Sequence, residues 1–375
     1  MKMIVLSILI IALLNAKESL YLNFPQDYPS QQTGTSFGKE LIRLINSTQH
    51  DIHFAIYGLR AQDEILQALI NAKQRGVHIQ GVVDSDSHGK NYYEDTHKLY
   101  QHFDVKSDHK SAIMHNKFFI FDQQIVWTGS ANISDTGTGG YNANNVVVIE
   151  DKNVAKAYEH EFQQMFTNHH FSTKKTHALS CLAISTNTSR ITLGFSPQSL
   201  TYEHCISPLI KNAKTSIYIP IFYLTHHALT QQLITAHQRG VDVKIILDAS
   251  AAKNKYSTHQ RLREAGIEVK VENFGGKMHA KSMIIDNRYI ISGSMNFTKA
   301  GEEKNDENTI IIENATLAKA YKEYFFALWK QIPRRYLFID PNPESFESGN
   351  SCFDGIDNNF DKAIDSHDKH CYSEN

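Results

Sequence analysis

One frame occurs twice in this chain, and it constrains the fold more than any other feature. HNKFFIFDQQIVWTGSAN, residues 115–132, and HAKSMIIDNRYIISGSMN, residues 279–296, both place His, Lys, Asp, Gly, Ser and Asn at relative positions 1, 3, 8, 15, 16 and 18. Between those anchors the residues are apolar, β-branched or aromatic (118–121 and 125–127; 283–285 and 289–291), the texture of two buried strands joined by a turn. His and Lys two apart on a strand share a face. Each copy therefore sets an imidazole beside an ammonium, with Gly-Ser-x-Asn adding hydroxyl and amide groups, and that combination suits a phosphate.

The duplication extends beyond the frame. The offset 279 − 115 = 164 also carries Arg75-Gly76-Val77 onto Arg239-Gly240-Val241 and Asp84 onto Asp248, and one residue less carries Ala155 onto Ala318 and Phe162 onto Phe325. Two long copies make a pseudo-twofold pair of halves, 17–170 and 190–332, and not a solenoid. Each half reads as strand, helix, strand: 52–59, 62–75 and 77–83 in the first, 217–224, 229–239 and 241–247 in the second. Gly76 and Gly240 are the helix stops. This order means an α/β fold with helices on both faces of a sheet. Helices around 155–166 and 318–329 close the halves, and the Ser/Thr-rich stretch 171–189 reads as a linker.

Paired HxKxxxxD motifs, each followed by GSxN, resemble the phospholipase D superfamily, and the resemblance covers most of the two halves. It implies two α-β-α sandwich halves packed about a pseudo-twofold axis, with both motifs meeting in one active site. There one His becomes a phosphohistidine, the other acts as general acid, and no metal or other cofactor is needed. Carried over, Lys117 and Lys281 neutralise the phosphate while Ser130, Asn132, Ser294 and Asn296 position its oxygens. Asp122 and Asp286 complete the motif and count among its residues, although an odd step along the strand turns them away from the His-Lys face. In relatives the position about 28 residues after the motif His bonds that His, which gives Glu307 to His279 and Asn144 to His115. A carboxylate raises an imidazole pKa and an amide does not, so His279 is expected as general acid and His115 as nucleophile.

The reading of function is an exported phospholipase D-type enzyme that hydrolyses phosphatidylcholine-like lipids to phosphatidate and free head group, with a phospholipid or membrane surface as its partner. A metal-independent endonuclease acting on nucleic acid is the alternative, since AGEEKNDEN resembles small secreted endonucleases. Those carry one motif per chain, however, whereas fused halves are typical of lipid-acting members. Phosphatidyl transfer uses the same residues, and a non-catalytic phosphate- or lipid-binding module is the third class. No obligate protein partner is evident, and a monomer is expected.

Composition and the termini add context. Formal net charge is −2, and residues 333–375 hold nine acidic and four basic groups, net −5; without that tail and Lys2 the halves carry −2 + 5 − 1 = +2, which is no nucleic-acid stripe. Residues 1–16 read as a signal peptide whose apolar run is too short to span a bilayer, so a secreted or periplasmic protein is expected. The four cysteines are then free to pair. Sequence neighbours suggest Cys181 with Cys205 and Cys352 with Cys371, one of three connectivities. Within the tail, Asp357, Asn359, Asp361, Ala363, Asp365 and Asp368 occupy positions 1, 3, 5, 7, 9 and 12 of an EF-hand-like loop, with Lys362 where Gly is expected. The expectation is a possible structural Ca2+ in a separate module with no part in catalysis.

Overall fold

The structure, a computed structural model, describes residues 18–87, 93–108, 112–176 and 181–372. The signal-peptide stretch lies outside the described residues. Two mixed sheets carry the same plan. In the first, the spatial order is Glu18–Leu22, Asn145–Glu150, Ile125–Gly129, Phe118–Phe121, Asp51–Ile56, His78–Val83, Asp104–Ser107. In the second it is Leu182–Ser185, Arg190–Ser196, Glu307–Glu313, Tyr289–Gly293, Met283–Ile285, Ser216–Ile221, Asp242–Leu247, Glu268–Val271. The last three strands of each are parallel, as strand–helix–strand crossovers require, and the motif hairpins join them antiparallel. The expected linker is therefore partly a strand: Leu182–Ser185 adds an edge to the second sheet, and Cys181 is bonded to Cys205.

The two helices Asp63–Gln74 and His227–Gln238 end where Gly76 and Gly240 take φ of +96° and +90°, the left-handed region open to glycine. Each half has its own outer core, around Phe54, Phe119 and Trp127 in the first and Ile219, Ile245 and Leu233 in the second. A third core spans both halves and joins the inner sheet faces to the helices Lys152–Phe166 and Ala315–Gln331 through Tyr158, Phe162, Tyr321 and Phe325. Burial shared in this way makes the pair of halves one packed unit.

Three motif features now have structural reasons. Asp122 and Gln123, and Asp286 and Asn287, have φ between 48° and 54°, with Gln124 N bonding Phe121 O and Arg288 N bonding Ile285 O, both at 2.9 Å. Those are two-residue hairpin turns of the kind that requires left-handed residues, which Asp and Asn tolerate. The Asp carboxylates then cap the neighbouring strand, Asp122 accepting from the backbone of Gln49, His50 and Asp51, and Asp286 from Lys214, Thr215 and Ser216. A Cβ on Gly129 or Gly293 would stand 2.2 Å from the carbonyl oxygen of Asn145 or Asn308, so this Gly lets the sheet close beside the site. Among the described residues no helix is long and apolar enough to cross a membrane.

Candidate active site

Both motif histidines are held by the opposite half. The backbone N–H of His115 donates to Asp306 O and that of His279 to Ala143 O, each at 2.9 Å. Their rings follow the same rule. His115 Nδ1 lies 2.9 Å from Glu307 Oε2, and His279 Nδ1 lies 3.0 Å from Asn144 Oδ1. The expected pairing of Glu307 with His279 and Asn144 with His115 is thus crossed. Glu307 opens the strand Glu307–Glu313 and Asn144 directly precedes the strand Asn145–Glu150, and both stand where the halves meet, so the neighbouring imidazole belongs to the other copy.

The serines also differ from expectation. Ser294 Oγ donates to Glu307 Oε2 at 2.6 Å and accepts from Asn308 N at 3.0 Å, while Ser130 Oγ donates to Asn144 Oδ1 at 2.9 Å and accepts from Asn145 N at 3.0 Å. Both hydroxyls are wholly buried and committed to fixing the histidine partners, so they are not placed on a phosphate. Asn132 and Asn296 each have a buried amide oxygen without a hydrogen-bond partner; that oxygen is an acceptor, so a phosphate oxygen can be met only by the NH2 of the same amide. Asp122 and Asp286 sit in the hairpin turns, away from the chemistry.

Lys117 Nζ donates to His115 O at 2.8 Å and Lys281 Nζ to His279 O at 2.7 Å, which leaves each ammonium with further protons for an anion. Burial pushes the Lys117 ammonium down to about 7. Burial and then the Lys117 charge hold Lys281 well below the usual lysine range. Burial lowers His115 as well, with Glu307 opposing it. His279, buried and beside Lys281 and Lys117 with no carboxylate of its own, falls well below the usual histidine range. Four basic groups that burial above all holds below their usual range form a dry cradle for a negative charge, which favours their protonated forms. Behind each His, a buried carboxylate at the strand end fixes the preceding residue: Asp84 accepts from Met114 N at 2.7 Å and Asp248 from Met278 N at 3.1 Å.

A cleft of about 410 Å³ opens onto His279 and Asn132. Tyr57 and Phe222 follow equivalent strands, and their rings stand 6.0 Å from His115 and 5.1 Å from His279 respectively. The motif spacing does not mark Lys277, whose Nζ lies 5.8 Å from the Phe222 ring. It also misses the tail, which lines the same cleft with Ile356, Phe360 and Ile364. The EF-hand-like ligand set does not converge. The Asp357 carboxylate takes the N–H groups of Asp361 and Lys362, and that of Asp365 takes Asp354 and Gly355. Asn359 gives its amide to Asp368. Ligand atoms cluster only for Asp361, Asp368 and His370 among the described residues, so the expected Ca2+ site is not built by the expected residues.

Comparison with known proteins agrees with the geometry. The family model described as "Cardiolipin synthase, PLD-like domain" matches residues 41–166 and 206–329. A phospholipase D of Rickettsia bellii is 41% identical over 133 residues, 36% of this chain and 66% of that protein. The human mitochondrial cardiolipin hydrolase is 33% identical over 143 residues, 37% of this chain and 57% of its own length. The chain thus spans about two thirds or less of these two relatives. Among solved structures, the phosphatidylserine synthase of Haemophilus influenzae superposes with a TM-score of 0.63 at 14% identity, over 84% of this chain and 88% of that one, which is a likeness of fold.

Proposed function

The chain belongs to the phospholipase D-like family, and on that premise we propose that it is a metal-independent phosphodiesterase that hydrolyses phosphatidylcholine-like phospholipids through a phosphohistidine. The observation that carries this reading is the crossed pair: the His115 ring bonded to Glu307 of the other half, within reach of the fields of both lysines. With Nδ1–H donated to Glu307, the Nε2 lone pair of His115 is free to attack phosphorus. Glu307 here fixes the tautomer and offsets the positive ring formed on phosphorylation. It does not keep the free imidazole charged, because burial outweighs it.

In the first step a bond forms between His115 Nε2 and phosphorus, the bond to the leaving alkoxide breaks, and His279 Nε2 supplies the proton to that oxygen. His279 acquires this proton when the anionic diester enters, since the substrate charge favours the imidazolium that burial, and after it the lysine charges, otherwise disfavour. In the second step His279 takes a proton from water as the water attacks the phosphohistidine and frees His115 with a phosphate monoester. Lys117 and Lys281 stabilise the five-coordinate phosphorus, and Asn132 and Asn296 orient its oxygens. The amide at Asn144 and the carboxylate at Glu307 make the two steps inequivalent. A lipid substrate is supported by the fused, asymmetric halves and by the apolar side chains at the cleft; export is supported by both disulfides.

The test is turnover by purified protein in EDTA of phosphatidylcholine vesicles and of single-stranded and duplex DNA. Choline release that His115→Ala and His279→Ala both lose is expected. DNA cleavage without choline release would overturn the substrate and leave the chemistry, and choline release that both variants keep would overturn the site.

A further inference from the structure

The acidic tail is a wall of the catalytic cleft. Residues 355–358, with Phe360 and Ile364, line the same cavity as His279 and Asn132. The wall is anchored to both halves. In the first half, the buried Tyr141 hydroxyl donates to the Asp354 carboxylate; in the second, Lys277 Nζ sits 3.8 Å above the Phe360 ring centroid. Inside the tail, the wholly buried Glu344 accepts from Asn358 N at 2.8 Å and Asp365 N at 2.7 Å, and the Cys352–Cys371 bond closes the loop. These contacts fix the loop's position over the site, so its side chains present a defined surface.

Where it meets the cleft, that surface sets the apolar side chains of Ile356, Phe360 and Ile364 beside Asp357 and Asn358. Among the described residues, nine large hydrophobic side chains are largely exposed, and seven of them lie between Phe338 and Tyr372; Phe360 is 51% and Ile364 43% exposed. Concentrated exposed apolar area marks a place where something binds, because water is a poor neighbour for it. The first half contributes Arg60, Asp135 and Thr136 to the same cavity, beside the rings of Tyr93 and Tyr141. A diester held at His279 would meet the charge of Arg60 and the apolar side chains of Ile356, Phe360 and Ile364 within one cleft. A phosphodiester with one apolar arm fits this combination. A nucleic acid does not, since its second strand segment is another phosphate and the tail carries nine acidic against four basic groups.

We propose that Phe360 and Ile364 of the tail loop contact the acyl-bearing side of a phospholipid at its interface and so select lipid over other diesters at this site. This rests on the phosphodiesterase reading above. The experiment compares full-length wild type with Phe360→Ser and Ile364→Ser on long-chain phosphatidylcholine vesicles, on water-soluble bis(p-nitrophenyl) phosphate and on a single-stranded oligonucleotide. Each variant is expected to lose at least tenfold in kcat/KM on vesicles relative to the soluble diester, with the loss in KM, and to sediment less with vesicles. An unchanged ratio between the two substrates would overturn the proposal and leave the phosphodiesterase reading intact. Oligonucleotide cleavage that falls in the variants while vesicles are never hydrolysed would overturn the lipid assignment. Wild type that turns over none of the three would defeat both readings together.

Discussion

At the scale of single residues, the site is built from charges that the fold holds at a cost. Lys117 is wholly buried, and its ammonium is pushed down to about 7, so between about pH 7 and pH 10 the unfolded chain binds the proton that the native state has lost. Stability contributed by this position therefore rises with pH through that window, and the penalty is fully present below it. Lys117→Met is expected to lower turnover by roughly 100- to 1,000-fold. The same variant should unfold at higher denaturant concentration at pH 6, with a gain on the order of 1–2 kcal/mol that shrinks toward pH 10. Urea melts at several pH values check this, and a destabilised variant at pH 6 would mean that the lysine is a structural cation. The serines of GSxN show the limits of a motif at this scale. Their place in the repeated GSxN, by resemblance, suggests a phosphate contact, but a hydroxyl can equally hold Glu307 or Asn144, and sequence does not distinguish the two uses.

At the scale of elements, the segment between the halves is a clamp. Lys175 is buried against two carboxylates, Glu161 from the helix that closes the first half and Asp306 just before the strand of Glu307, the latter at 2.8 Å. Asp306 also supplies the carbonyl that holds His115 N. Removing the cation leaves two buried carboxyl groups facing each other, so Lys175→Met is expected to cost about 3–5 kcal/mol in chemical denaturation and to lower activity through His115. A loss below 1 kcal/mol would contradict the clamp. The strand and helix order was legible because period-two and period-3.6 patterns and the two stop glycines are local signals. The segment 171–189 was not, because its Ser and Thr composition reads as loop: Lys175 takes its meaning from Asp306, far along the chain, and Leu182–Ser185 is a strand only through its pairing with Arg190–Ser196.

At the scale of the whole molecule, the two halves place the chemistry between them. Repeat spacing located all four of His115, Lys117, His279 and Lys281. It assigned the wrong partner to each His, because a pseudo-twofold axis brings equivalent positions together and a one-dimensional spacing cannot say which copy answers which. The tail was misread for a related reason: its acidic and cysteine-bounded sequence describes a module, and only packing shows that Phe360 lies over Lys277 of the second half. His115, oriented by Glu307 across the axis, is the nucleophile we propose. The most direct test is to react wild type and His279→Ala with a phosphodiester bearing a p-nitrophenol leaving group, quench under alkaline conditions that preserve phosphohistidine, and map the adduct by mass spectrometry. Such a leaving group needs little help from an acid. An adduct on His115 is expected in both proteins, accumulating in His279→Ala, where the second step lacks its base; an adduct on His279 in wild type, or none on His115 in either, would contradict it.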